Sequence, residues 1–274
     1  MEQMIKGITE DLKRIKEEKP LIHHITNLVV MNETANVTLC LGALPVMAHA
    51  KEEVAEMVGF AGALLLNIGT LTTELVDSMV IAGRRANELG VPVILDPVGA
   101  GATKLRTDAS RRILNEIDIS VIRGNSAEIG ILAGAGGEIK GVEAVGKNEE
   151  IAEVARSLAI REKCVVSVTG PEDIITDGEK IALVRNGDPM MAMITGTGCM
   201  STTVTAGFAA VQKDYFKAAI GALVTFGIAG EHAAANTKGK PGSFHAALYD
   251  AVYEVDYDMI MKEAEIELIL PVKA

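Results

Sequence analysis

Short aliphatic runs alternate with longer amphipathic segments through the first two thirds of the chain, and this alternation constrains the fold more than any other feature. Predicted strands cover residues 21–26, 63–68, 91–96, 117–123 and 164–169, each stopping at or just before Gly, Asn or Asp. Between them, residues 51–59, 71–89, 108–116 and 151–161 carry apolar side chains at helical spacing. Strands that are almost continuously apolar belong to a parallel sheet covered on both faces. Strand and helix in alternation then give an α/β fold, a mostly parallel central sheet with helices on both sides.

The pattern changes after Pro171. Residues 173–176 and 180–185 flank Asp177-Gly178, a hairpin turn signal, so antiparallel strands are expected at the edge of the sheet. Two apolar helices follow, over residues 197–212 and 218–235, and a final helix begins near Ser243. Their Ala- and Gly-rich faces suit burial against the sheet or another subunit. Residues 134–147 are rich in glycine but short, and read as a mobile loop rather than a boundary. Residues 1–274 are therefore expected to form a single domain.

Composition narrows the class of partner. A net charge of −11 and the lack of a basic block exclude nucleic acid as the main partner, while leaving room for a nucleotide held by a few placed groups. Cys40, Cys164 and Cys199 lie far apart with no CxxC pair, which is neither a disulfide framework nor a zinc signature and suits a reducing cytosol. Residues 1–20 are charged and amphipathic and lack the apolar core of a signal peptide. The longest apolar stretch, residues 218–230, falls short of the roughly 20 residues that span a bilayer. A soluble cytoplasmic protein is expected.

The run Ile194-Thr195-Gly196-Thr197-Gly198-Cys199-Met200-Ser201 stands at the start of a predicted helix. Its two glycines let the backbone approach a ligand, and the free N–H groups and dipole of a helix N-terminus favour an anion, most naturally a phosphate. Gly196, Thr197, Gly198 and Cys199 are thus expected to form an anion hole. A purely structural turn has no need of the cysteine. At a helix N-terminus its thiol is expected to titrate below the roughly 8.5 of a free cysteine.

In an open α/β sheet, ligands bind beyond the carboxyl ends of the strands. Asp96, followed by Pro97 and a Gly-Ala-Gly exit, presents a carboxylate there for Mg²⁺. Arg123 ends an otherwise apolar run and is read as a phosphate contact. Glu128 has two readings that stay open: the capping-box partner of Asn125, or a second carboxylate that organises Mg²⁺. Thr169 offers a hydroxyl to a phosphate. Asn27 follows the first strand and could hydrogen-bond a small polar ligand. Met47 sits beside Pro45 among small residues and could wall an apolar pocket. His23 and His24 point to opposite faces of an extended segment, which argues against a shared metal.

These segments, taken in order, resemble a known family. His24-Ile25-Thr26-Asn27, residues 43–50, Leu66-Asn67-Ile68-Gly69-Thr70, residues 94–102 and 122–128, Thr195-Gly196-Thr197-Gly198-Cys199 and Pro241-Gly242-Ser243-Phe244 look like the hydroxyethylthiazole kinases of thiamine salvage, over about the whole chain. The resemblance implies a ribokinase-like three-layer fold and a homotrimer with active sites at subunit interfaces. It implies transfer of the ATP γ-phosphoryl group to the primary hydroxyl of 5-(2-hydroxyethyl)-4-methylthiazole, with Mg²⁺. On matching positions, Met47 and Gly196 would contact the thiazole, and Arg123 and Thr169 the ATP. The wider ribokinase-like superfamily places an aspartate base in this glycine loop, where this sequence, like the family it resembles, has Cys199. The alternatives are a pyrimidine or pyridoxal alcohol as acceptor, an ADP-dependent dehydratase, or a non-catalytic nucleotide sensor. A Rossmann dehydrogenase is disfavoured, since no GxGxxG follows the first strand.

Overall fold

The predicted apolar runs line up side by side in a computed structural model that describes residues 1–134 and 147–269. Residues 135–146 of the glycine-rich stretch lie outside the described residues. The first half of the chain gives α1 (Glu2–Glu18), β1 (Leu21–Ile25), α2 (Met31–Leu41), β2 (Leu44–Val46), α3 (Val54–Met57), β3 (Ala63–Asn67), α4 (Thr73–Leu89), β4 (Val93–Asp96), α5 (Lys104–Glu116), β5 (Val121–Asn125) and α6 (Ser126–Ala133). The second half gives α7 (Lys147–Glu162), β6 (Val165–Thr169), β7 (Asp173–Thr176), β8 (Ile181–Val184), α8 (Thr197–Val211), α9 (Tyr215–Thr237), α10 (Pro241–Glu254), α11 (Tyr257–Glu263) and β9 (Ile266–Ile269).

Among the described residues nine strands form one sheet in the order β2-β1-β3-β4-β5-β6-β7-β8-β9. Pairing is parallel from β2 to β6 and antiparallel from β6 to β9. The Asp177-Gly178 hairpin therefore joins β7 to β8 as the turn signal requires.

Side chains along the buried strands alternate between two cores. On β3, Ala63 and Leu65 face one core with α1, α2, α8, α9 and α10, whereas Leu64 and Leu66 face another with α4 to α7. Each buried leucine contributes about 1.5–3 kcal/mol. Helices thus cover both faces, which makes the three layers. The small residues of the late helices serve close packing: a Cβ on Gly221 of α9 would stand 2.8 Å from Phe208 of α8. α9 is long and apolar enough to cross a membrane, yet 78% of its most apolar window is buried inside the protein, as in a core helix.

Several element boundaries differ from those expected. Strand β5 starts at Val121 rather than residue 117, because Ile117 closes α5 with its backbone N–H on Ile113. Helix α5 starts at Lys104, where the Thr103 side chain accepts from the Arg106 N–H as a cap. The segment 51–59 holds only the four-residue α3, followed by a 3₁₀ turn over Val58–Phe60. β2 contains a proline and only three residues, too few for a periodicity to show. β9 and α11 follow the last predicted helix, and β9 is a sheet-edge strand recruited by antiparallel pairing with β8.

Candidate active site

Parallel pairing brings the carboxyl ends of β1, β3, β4, β5 and β6 to one edge of the sheet, where Asn67 stands beside Asp96 and Asn125 beside Thr169 in register. The N-terminus of α8 meets them there.

Gly196 precedes α8 with φ +92°, a left-handed conformation that glycine adopts without strain, and a Cβ would come within 3.0 Å of Val30. No side chain caps α8. By contrast, Thr72, Thr103, Asn125, Asp214 and Asp256 cap α4, α5, α6, α9 and α11. α1, α2, α3 and α10 also lack a side-chain cap, but α8 starts at the carboxyl edge of the sheet, where first-turn N–H groups without a side-chain partner suit an anion. The Thr197 hydroxyl donates back to the Met191 carbonyl at 2.8 Å, so what Thr197 can offer an anion is its backbone.

A buried cation faces this turn. Arg123 is nine-tenths buried, and its guanidinium lies where a Cβ on Gly198 would stand 3.0 Å from Nη1. Its Nη2 donates to the Thr169 hydroxyl at 2.6 Å, and its Nε has no hydrogen-bond partner among the described residues. A guanidinium with an unpaired donor beside an uncapped helix suits a bound phosphate. The Thr169 hydroxyl is engaged first by Arg123, so its effect on a phosphate would run through that side chain.

The acidic side is built around Asp96, which is buried and accepts at Oδ2 from Asn67 Nδ2 and from Thr202 Oγ1, both at 2.8 Å. Burial pushes its carboxyl up to about 6, opposed by the charge of Arg123 and reinforced by that of Glu128. Glu128 completes the capping box: the Asn125 side chain accepts from its N–H, and its Oε2 accepts from the Asn125 N–H at 2.8 Å. Its Oε1 also accepts from the Gly99 N–H at 2.7 Å, tying the loop after β4 to α6.

One expectation is corrected here. Burial, and then the charge of Asp96, push the Cys199 thiol up to about 12, against the lowering expected at a helix N-terminus. The thiol is enclosed beside a carboxylate, and those effects outweigh the charge of Arg123 and the hydrogen bonds donated by Asn67 and Asn27. The amide of Asn27 is engaged within the protein. Its Oδ1 accepts from the N–H groups of Val29 and Val30, and its Nδ2 donates to Asn67 Oδ1 at 2.8 Å and lies 3.7 Å from Cys199 Sγ.

Met47 is half-buried just beyond the edge strand β2, at the margin of the sheet. His23 and His24 are buried apart, their Nε2 atoms bonded to the Ala48 carbonyl and the Thr38 hydroxyl respectively. Among the described residues no group of three or more His, Cys, Asp or Glu could hold a metal ion by itself.

The sequence matches the model of the hydroxyethylthiazole kinase family over residues 12–258. The chain belongs to the hydroxyethylthiazole kinase family. Hydroxyethylthiazole kinase from Thermoanaerobacter sp. (strain X514) is 59% identical over 261 residues, covering 94% of this chain and 99% of that protein. Hydroxyethylthiazole kinase from Chloroflexus aurantiacus is 54% identical, covering 96% and 97% of the two. The solved hydroxyethylthiazole kinase protein from Pyrococcus horikoshii superposes with a TM-score of 0.90 at 46% identity, covering 96% of this chain and 99% of that one. Pyridoxal kinase from Staphylococcus aureus, at 14% identity and a TM-score of 0.58, shares the ribokinase-like fold alone.

For a kinase of this family, the sequence reading left out residues that hold the site together. Thr202 lies three residues after Cys199, on the same helical face, a spacing that could have found it. Arg106 staples the loops after β3 and β4, donating from Nη1 to the carbonyls of Ile68 and Val98 and from Nη2 to that of Gly69. Nothing in its local sequence signals this. Asp173 accepts from the Gly170 N–H at 2.9 Å, and burial pushes its carboxyl up to about 6.

Proposed function

We infer that this chain transfers the γ-phosphoryl group of ATP to the primary hydroxyl of 5-(2-hydroxyethyl)-4-methylthiazole, yielding the phosphate ester used in thiamine biosynthesis and salvage. The observation that carries the reading is the uncapped N-terminus of α8 facing the buried Arg123, in a chain so close to named hydroxyethylthiazole kinases.

Phosphoryl transfer asks a protein mainly to position groups and neutralise charge. In this reading the backbone from Gly196 to Cys199 is the anion hole for the moving phosphoryl group. Arg123, steadied by Thr169, holds the phosphate tail of ATP. Gly196 and Met47 contact the thiazole, with Asn27 supporting its seat from behind. Cys199 lies against the acceptor hydroxyl. As a neutral thiol it shapes that seat, and general-base assistance is small beside the electrostatic stabilisation.

Mg²⁺ fits the donor set present. Asp96 and Glu128 are hard oxygen donors whose charges oppose each other, and too few side chains converge to hold a bare ion, so it would arrive on the nucleotide. Asp96 and, through water, Glu128 would hold it. Bound there, the ion would supply positive charge to offset that of the phosphates.

A single kinase domain over residues 1–274 is consistent with the one sheet. A homotrimer with sites at its interfaces is supported by exposed apolar side chains flanking the site, Leu28, Val29 and Met193, which a neighbouring copy would cover. A cytoplasmic location suits its three free cysteines.

The test is ADP release with Mg²⁺-ATP and the thiazole alcohol, with hydroxymethylpyrimidine and pyridoxal run in parallel. Turnover with the thiazole alone is expected. ATP binding without turnover of any of the three alcohols would overturn the kinase reading in favour of a dehydratase or a sensor.

A further inference from the structure

Asn67 ends β3 fully buried, and all four hydrogen-bonding positions of its carboxamide are filled. Nδ2 donates to Asp96 Oδ2 at 2.8 Å and to Cys199 Sγ at 3.2 Å, while Oδ1 accepts from Asn27 Nδ2 at 2.8 Å and from the Gly69 N–H at 2.9 Å. The Gly69 N–H can only donate, so it fixes which end of the amide is oxygen. Asn27 is fixed in the same way by the N–H groups of Val29 and Val30. Two oriented carboxamides therefore aim N–H groups at one sulfur. That sulfur is held as an acceptor, and its own proton is turned away from both amides.

An apolar residue would end a buried strand without the cost of desolvating an amide. A saturated carboxamide instead ties together β1, β3, β4 and α8 at the reacting end. We propose that Asn67 is a positioning residue for phosphoryl transfer, fixing the Cys199 side chain against the Asp96 carboxylate so that the thiol meets the acceptor hydroxyl in one orientation. This rests on the active-site reading given under Proposed function.

The test is a double-mutant cycle in kcat and KM for the thiazole alcohol, using wild type, Asn67→Ala, Cys199→Ala and the double variant, with a cooperative thermal melt required of each. Asn67→Ala is expected to lower kcat several-fold, by no more than Cys199→Ala does, while KM moves less than about twofold. The double variant is expected to lie within about threefold of the slower single variant, because both changes disable one unit. Full multiplication of the two single effects, an effect confined to KM, or unchanged kcat in Asn67→Ala would each overturn the proposal. Should Asn67→Ala not fold, Asn67→Ser keeps a small polar side chain too short to reach Asp96 and Cys199 together, and its cycle with Cys199→Ala is read by the same criteria. Wild type is assayed first: no turnover there refutes the functional reading, whereas wild-type turnover with independent variants refutes only the role of Asn67.

Discussion

The guanidinium of Arg123 rests against the backbone of Gly198, so closely that a Cβ there would stand 3.0 Å from Nη1 and 3.3 Å from Nη2. Gly198 is therefore small because of its neighbour rather than because of its own backbone angles. Gly198→Ala is expected to push the Arg123 guanidinium by a few tenths of an ångström and crowd the anion hole, lowering kcat about 10-fold or more. Its melting temperature should stay close to wild type, since alanine suits a first helical turn. Near-normal kinetics would refute the placement of the phosphoryl group at this turn.

A thiol held near 12 is uncharged at physiological pH. The rate should accordingly show no rising limb attributable to Cys199 between about pH 6 and 9. Cys199→Ala is expected to retain measurable turnover. Cys199→Asp should keep or increase it, because even a carboxyl raised by this enclosure, as that of Asp96 is to about 6, is largely ionised at pH 7 and this thiol is not. Complete loss in both variants, with folding and ATP binding intact, would contradict a modest role for the base.

Asp96 titrates at about 6 in the folded chain, against 3.8 for an ordinary aspartate. The folded state thus binds this proton more tightly than the unfolded one. The stabilisation is fully present below about pH 4 and is lost as pH rises through about 6. Above that, the buried charge costs on the order of 2–3 kcal/mol. Asp96→Asn should therefore melt about 5 °C or more above wild type at pH 8 in metal-free buffer, with a smaller gap at pH 4.5, while losing kinase activity. A constant gap between the two pH values would show that the charge is not the cause.

Both oxygens of Glu128 accept backbone N–H groups, from Gly99 and Asn125. Glu128→Gln leaves one of those donors unmatched and should cost about 1 kcal/mol of stability. If Glu128 also organises the metal through water, half-saturation by Mg²⁺ should rise by about fivefold or more, through loss of one carboxylate charge. An unchanged Mg²⁺ dependence would confine Glu128 to tying α6 and the loop after β4.

The layered fold could be read from the chain because strand and helix periods differ and parallel strands are apolar on both faces. Leu64 to Leu66 announce β3 by themselves. β2 and β9 could not be read in this way, since three residues with a proline, or a late edge strand, carry little pattern and owe their state to a neighbour. The charged site residues were legible wherever a polar residue interrupts an apolar run, as at Asp96 and Arg123. The protonation of Cys199 was not, because it depends on enclosure and on Asp96, a residue 103 positions earlier. Asn27 was legible as a polar strand-end residue, but the two N–H groups that occupy its oxygen come from a turn whose shape the sequence leaves open.

Asn27, Asn67, Asp96 and Cys199 reach one another only because the sheet places β1, β3 and β4 side by side and α8 returns across them after about a hundred intervening residues. No short contiguous fragment of the polypeptide holds the cluster. During refolding, helices and neighbouring strands can form from nearby residues, whereas the cluster waits for the docking of α8, a closure over a long loop. Recovered turnover is therefore a reporter of completed topology, and it should trail the return of helical signal rather than accompany it.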